Sequence, residues 1–427
     1  TECEAVILDM EESGFMKIKV ATLFETIVAI CIILDCESVW KWMHGSGYFR
    51  LALSLCFIGS LIVLLFKDGA IVRYGSKNQA IFIGFYLSFF LIYNIVINSA
   101  HTIDVCQLVI TITLMLLFFN NEECIRSVMN RCSKILSLIA LISLFFWLFG
   151  SIMHVFNPSQ KLTIYVSDVP RIKQSYFFIQ YEMQKEEVLG ASGIWRNTGF
   201  FYEGPKYVLL LSIMLAYELF MARRTSFKRC IVFSITALST MSMTGVYAIG
   251  FIWILYLFVK FPAGSNRGFA LRAVIVLALF GVGTQVASYF ENTFTLKAAT
   301  ASYSTRMDNY QAGFAAWLER PVLGSGYLNM TDVIAHYSSF RLKDIGYSNS
   351  VFRVLAQGGI YLAFMYIVPM IKTIQEAITT QNRKKFGFLL IFLYYFITTS
   401  FPYNYICYMS LFVLFFCKNE TEKRLAK

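Results

Sequence analysis

Hydrophobic and polar residues alternate along this chain in long blocks, on the scale of a membrane crossing. Twelve apolar runs stand out, at 20–36, 51–66, 80–97, 102–119, 135–156, 207–221, 230–241, 245–261, 270–287, 350–370, 386–400 and 403–417. Most approach the ~20 apolar residues that cross a bilayer as one helix. The pattern therefore predicts an all-α polytopic membrane protein of about twelve transmembrane helices. Two polar intervals, 157–206 and 288–349, are too long for turns and are expected as large loops on the same face.

Lysine and arginine assign the sides. With the N-terminus inside, the basic groups Arg126, Arg131 and Lys134, then Arg223, Arg224, Lys228 and Arg229, then Arg383, Lys384 and Lys385 all face inward, as the positive-inside tendency requires. Fusing the short run 230–241 with 245–261 would turn the later basic groups outward. The expected order is an inside N-terminal segment 1–19, helices one to five over 20–156, a first outer loop 157–206, and helices six to nine over 207–287. A second outer loop 288–349, helices ten to twelve over 350–417 and an inside tail 418–427 complete it. Met16 followed by KIKVATLF resembles a natural start, so residues 1–15 read as an extension without a role in the fold.

Composition supports the membrane class: 57% of residues are hydrophobic and 15% charged, with a mean hydropathy of +0.59, where soluble proteins carry about 25% charged residues. The net charge of +11 follows from membrane orientation, and no nucleic-acid motif accompanies it. None of the ten cysteines falls in either long loop, so no disulfide framework is expected. There is no nucleotide-cradling glycine loop, zinc ligand set or serine–histidine–acid motif, and neither cofactor nor metal is expected.

Candidate chemistry gathers in the two loops. In the second, Met307, Tyr310, Phe314, Trp317 and Leu318 recur at helical spacing, predicting an amphipathic helix near 303–319 that Pro321 ends. Arg306 lies at the edge of that apolar stripe, placed to point into a cleft. The first loop ends in GIWRNTGFFYEGPKYV, where Arg196 and Lys206 set positive charge at the membrane surface with Glu203 between them. A guanidinium holds a phosphate through two parallel hydrogen bonds; the alternative is that Arg196 anchors a helix end among headgroups. Arg320 and Arg341 add charge in the second loop, and His336, the one histidine in either loop, is a candidate proton acceptor with Asp332 and Asp344 as alternatives. Arg353, one turn beyond Asn349 in the tenth run, either faces a polar site or snorkels to the interface.

Three motifs resemble the bacterial O-antigen polymerase and O-antigen ligase superfamily. They are Arg196, Gly199, Phe200, Phe201, Glu203 and Pro205 before a span; Ser304, Arg306, Trp317, Pro321, Gly324 and Gly326; and SNSVFRVLAQGGI from Ser348 to Ile360. The expected topology of about twelve spans with two large outer loops is similar too. Gly204 separates Glu203 from Pro205, which the family often has adjacent, and Ser348 stands where many ligases carry histidine, which favours a polymerase over a ligase. The resemblance implies a helical bundle related to the lipid-donor (GT-C-like) glycosyltransferases, in the bacterial inner membrane with both termini cytoplasmic and the long loops periplasmic. It implies a glycan donor on undecaprenyl diphosphate and, as further partners, membrane lipids, a chain-length regulator and a flippase. By this likeness Arg196, Arg306 and His336 are the expected catalytic residues. Glu203, Lys206, Tyr310, Trp317, Arg341, Asn349 and Arg353 would bind substrate; Trp195, Tyr202, Tyr310 and Trp317 offer either sugar-stacking faces or anchors at the membrane interface. A ligase acting on lipid A–core and a lipid-linked oligosaccharide flippase or transporter are the alternatives.

Overall fold

The computed structural model describes residues 20–43, 46–67, 74–166, 169–188, 191–261, 301–341, 346–380 and 382–417. The expected span 270–287, the extension 1–15, the tail 418–427 and Asp344 lie outside them. In the first half the helices are α1 (Val20–Asp35), α2 (Ser46–Lys67), α3 (Tyr74–Ile97), α4 (Thr102–Phe119) and α5 (Glu122–Phe146), the last running into a π-helical turn at Trp147–Ile152. Then come α6 (Gly204–Ala216, with a π turn Tyr217–Met221), α7 (Phe227–Ser239) and α8 (Met243–Lys260). The second half supplies α9 (Ala301–Glu319), the short α10 (Thr331–Ala335), α11 (Ser350–Thr379), α12 (Arg383–Thr398) and α13 (Tyr405–Phe416). Among the described residues six helical stretches are long and apolar enough to cross a membrane: Ser46–Phe66, Ser99–Phe119, Glu122–Ile152, Gly204–Met221, Met243–Lys260 and Ser350–Thr379.

Helix α6 is the axis. Every side chain from Tyr207 to Met221 is buried, as befits a helix apolar all round and enclosed by others; α5, α7, α8 and α12 pack against it. Its N-terminal end, at Glu203 and Gly204, therefore opens onto whatever the two long loops build.

The first loop corrects the all-α expectation. Strands β1 (Gln160–Val166), β2 (Val169–Tyr176) and β3 (Gln180–Tyr181) form an antiparallel sheet, and β4 (Lys185–Val188) pairs with β5 (Ala191–Trp195) in a hairpin. The sheet sits on the end of α5 through Tyr176, whose ring covers Gly150 so closely that a Cβ there would lie 2.7 Å from it.

Helix α11 is broken. Gly359 has φ 59° and ψ −163° inside the run, a conformation essentially confined to glycine. The freed backbone groups pair with the turn after α9: Ser325 N donates to Ala356 O (2.8 Å), Gly326 N to Gln357 O (3.0 Å), Ile360 N to Pro321 O (2.9 Å) and Tyr361 N to Val322 O (3.0 Å). Irregular backbone beside a membrane helix is tolerated where protein satisfies it, and Gly324 and Gly326, at φ 69° and 105°, make the tight approach possible. Polar residues at the end of α3 hold the same turn: Tyr93 Oη donates to Gly324 O (2.6 Å), Asn98 Nδ2 to Tyr327 O (2.9 Å), and Asn94 Oδ1 accepts from Tyr327 N (2.6 Å).

Helix α9 shows its apolar stripe outward. Met307, Phe314 and Leu318 are exposed, whereas Asp308, Asn309, Ala312 and Ala316 are buried. The inward face is built for close approach to α11, since a Cβ on Gly313 would collide with Tyr347 and Phe352.

Candidate functional site

The connection between α12 and α13 gathers the charged residues. Lys206 Nζ donates to Ser400 O (2.6 Å) and Arg353 Nη1 to Ser400 Oγ (2.9 Å), so a cation from the start of α6 and one from the first part of α11 meet on one residue. Ser350 Oγ donates to Thr399 O (2.6 Å) and accepts from Phe401 N (2.9 Å), while Asn349 caps α11 by accepting from Phe352 N (3.0 Å). The break at Gly359 leaves Ser350 to Gly358 as a separate short helix before the longer membrane segment. Arg353 thereby belongs to the polar site, which is why the chain tolerates an arginine in this run.

The connection between α1 and α2 enters the same place, which the sequence reading missed. Asp35 Oδ2 accepts from Tyr405 N (2.8 Å) and its Oδ1 from Lys41 Nζ (3.0 Å). Glu37, at φ 56°, accepts from Trp42 Nε1 (3.1 Å) and pairs with Lys41 (3.8 Å). Backbone bonds from Val39 N to Phe200 O (2.9 Å) and from Tyr202 N to Glu37 O (3.0 Å) fasten it to the Arg196–Lys206 stretch, and Trp42 stacks on Tyr202 with centroids 4.4 Å apart. The one signal in the sequence is a short turn that carries two acids and a lysine among tryptophans.

Two carboxylates report the field. Burial raises the affinity of Glu203 for a proton, and the charge of Glu37 adds to it; Lys206, Arg196 and Arg306 oppose, yet the net direction is upward. Burial also pushes Glu37 upward, but there Lys41, Lys206, the Trp42 hydrogen bond and Arg353 prevail and hold it at about 2. Arg196, Lys206, Arg306 and Arg353 thus all act on one small region. Arg306 is exposed on α9, one turn before Tyr310, whose hydroxyl donates to Ile397 O (2.9 Å) and so pins α9 against the end of α12. Arg353 also lies over the Tyr403 ring, 5.4 Å from its centroid, and its buried Nε has no hydrogen-bond partner among the described residues.

Three expected residues lie elsewhere. Arg341 is buried at 3% exposure and is fully engaged: Nη1 bonds Asn309 Oδ1 (2.8 Å) and Thr305 O (3.0 Å), pairs with Asp308 (3.5 Å), and Nη2 bonds Gly346 O (2.6 Å). It clamps the second loop onto α9. His336 is exposed and pairs through Nε2 with Glu319 Oε1 (2.8 Å). Glu319 is thirteen positions from Arg306 on one continuous helix, about 20 Å along its axis, so the histidine stands at the wrong end. Trp317 shares that end, donating to Pro321 O (3.1 Å) and facing Phe314. The helix lies where the apolar spacing puts it, but which of its ends nears the first loop is decided by packing on α11 and α12. Asp332, the alternative base, lies in the first turn of α10, which packs on α9.

No curated protein and no solved structure matches the chain. The family model described as O-Antigen ligase matches residues 230–367, a stretch that contains Arg306, Asn349 and Arg353 and follows Arg196, Glu203 and Lys206. That match supports the O-antigen ligase and polymerase superfamily for this stretch of the chain.

Proposed function

We propose that this protein is a glycosyltransferase that polymerises oligosaccharide repeat units carried on undecaprenyl diphosphate, at the periplasmic face of the bacterial inner membrane. The observation that carries the reading is the convergence of Arg196, Lys206, Arg306 and Arg353 on the region of Glu203 and Ser400. A departing diphosphate gathers negative charge, and fixed cations in a partly dry site stabilise it as it forms. The glycan's anomeric carbon is attacked by a hydroxyl of the acceptor unit, its bond to the diphosphate oxygen breaks with the electron pair leaving on the lipid, and the hydroxyl proton passes to a base. Glu203, whose proton affinity burial and the charge of Glu37 raise against the pull of these cations, takes the role of base in place of His336.

The topology of the proposal is twelve spans with both termini cytoplasmic, two periplasmic loops, and a lipid-donor glycosyltransferase ancestry. The exposed stripe of Met307, Phe314 and Leu318 fits a helix bordered by lipid, continuous with the exposed Ile360, Phe364 and Ile367 of α11. Membrane lipids, a chain-length regulator and a flippase are the expected partners, and no metal or cofactor is invoked. The family description favours one second reading, a ligase that moves the finished glycan to lipid A–core.

A polyacrylamide gel of lipopolysaccharide tests this. Arg196→Ala and Arg306→Ala are expected to leave a single repeat on the core while the protein still inserts. A normal ladder in both variants refutes the site, and core without any repeat identifies the ligase.

A further inference from the structure

Beside the cationic cluster lies a cavity of about 330 Å³ that the reaction above does not use. It opens between the end of α5 and the three-stranded sheet, with Trp195, the residue before Arg196, at its edge. Phe156, Tyr176 and Trp195 give it aromatic walls, and Lys173, Gln174 and Glu182 give it polar ones. We propose that this cavity is a saccharide subsite, holding a sugar of the glycan whose reducing end lies at the cations.

The composition is what a pyranose requires. Its ring presents C–H faces that pack on aromatic rings, and equatorial hydroxyls that need oriented donors and acceptors at the edge. The volume falls at the low end of the ~300–1,000 Å³ found for small-molecule sites, suited to a sugar or two and too small for a lipid chain. The walls are built before any ligand arrives. Glu182 is 5% exposed and its Oε1 accepts from the Tyr176 hydroxyl (3.1 Å), while Lys173 Nζ donates to Met183 O (2.7 Å). Trp195 is held by its carbonyl, which accepts from Trp147 Nε1 (2.7 Å), and Lys185 covers the ring at 4.6 Å. The module is also joined to the cationic site through the Met43–Ile164 bridge and the bond from Arg196 N to Gln184 O (3.0 Å). The strand that ends at Trp195 thus fixes the cavity one residue along the chain from Arg196.

This inference rests on the glycosyltransferase reading, and its test separates the two. The probe is the oligosaccharide freed by mild acid from the surface polysaccharide of the strain that carries the gene, added to full-length protein in lipid nanodiscs and followed by saturation-transfer NMR. Wild-type protein is expected to bind saturably. Ile172→Trp, at a position 70% exposed on the cavity's rim, fills the space without entering the core and is expected to weaken binding at least tenfold. Glu182→Gln is expected to do the same, with Arg306→Ala close to wild type because the freed glycan has no diphosphate. No binding by wild type, or unchanged binding in Ile172→Trp, overturns the subsite even if the arginine variants lose polymer. Weakened binding in the cavity variants alongside normal polymer in Arg196→Ala and Arg306→Ala keeps the subsite and removes the reaction.

Discussion

Glu203 feels the charge of Glu37, and the two carboxylates are driven in opposite directions: Glu37 is held ionised at about 2, and Glu203 is pushed above its ordinary 4.5. They come from opposite ends of the first half of the chain, one in a short turn after α1 and one capping α6. The cause is the distribution of partners. Glu37 has Lys41 and the Trp42 indole at hand, whereas the half-buried Glu203 shares its cations with neighbouring groups. Paired carboxylates with divided proton affinities are a common basis for assigning acid–base roles.

Glu203 as proton acceptor sets the acid limb of the pH profile. The ionised form is the active one, so a raised proton affinity moves that limb to higher pH than an ordinary glutamate would give. Polymerisation by membranes carrying the wild-type protein is expected to rise with pH through a midpoint above 4.5. Glu203→Gln should lose about 10²–10⁴ in rate above that midpoint, with the gap to wild type narrowing below it, while Glu203→Asp keeps a limb. A flat profile in the wild type, or an active Glu203→Gln, removes Glu203 from the chemistry.

Glu37 contributes stability with the opposite sign. Its folded-state affinity lies below the ordinary 4.5, so its share is complete above that pH and is lost as pH falls toward about 2. Near neutrality the shift corresponds to about 2–3 kcal/mol once its partial exposure is allowed for. Glu37→Gln should lower the thermal midpoint at pH 7 and narrow the gap to wild type as pH drops below 4.5. A gap independent of pH would mean that the carboxylate's charge is not what holds the turn.

Much of this was legible in advance, for a definite reason. Long apolar runs have one solution in a bilayer, so among the described residues helices lie on the apolar runs, and the motif around Arg196 is visible because it is contiguous. The β-module was legible and passed over: Lys161, Leu162, Thr163 and Ile164 alternate exposed and buried, the period of a half-covered strand. The break at Gly359 was not legible, because Gly358 and Gly359 sit in an unremarkable apolar run and the turn that fills the gap lies at 321–326. Glu37 escaped notice likewise, since Lys206 and Arg353 become its neighbours only when the bundle closes. Arg341 was misplaced because sequence shows a cation but not the Asp308 and Asn309 that enclose it.

The same break gives a sharp test of the docked turn. A methyl group at Gly359 would meet the carbonyl of Val322, and its φ of 59° is unfavourable for any L side chain. Gly359→Ala is expected to cost at least about 1–3 kcal/mol from the backbone alone, read as a lower thermal midpoint and less inserted protein. Gly250→Ala, on α8 where nothing lies within 4 Å, is the control and should behave as wild type. Equal behaviour of the two variants would mean that the turn does not seat in the helix break.

His336 and Arg341 separate the chemistry from the scaffold of the second loop. His336→Ala removes an exposed pair with Glu319, worth at most ~1 kcal/mol, and should leave both protein level and polymer within about twofold of wild type, since an exposed pair carries so little. Arg341→Ala leaves Asp308 buried beside Asn309 without its cation, a loss of about 3–5 kcal/mol. Membranes should then hold little folded protein, whatever its activity per molecule. Arg306→Ala completes the comparison with normal protein and no polymer. Immunoblots normalised against the glycan ladder distinguish all three. If His336→Ala keeps its protein and loses the ladder, the proton goes to the histidine, and the far end of α9 has to be brought to the cations by a motion of the whole loop.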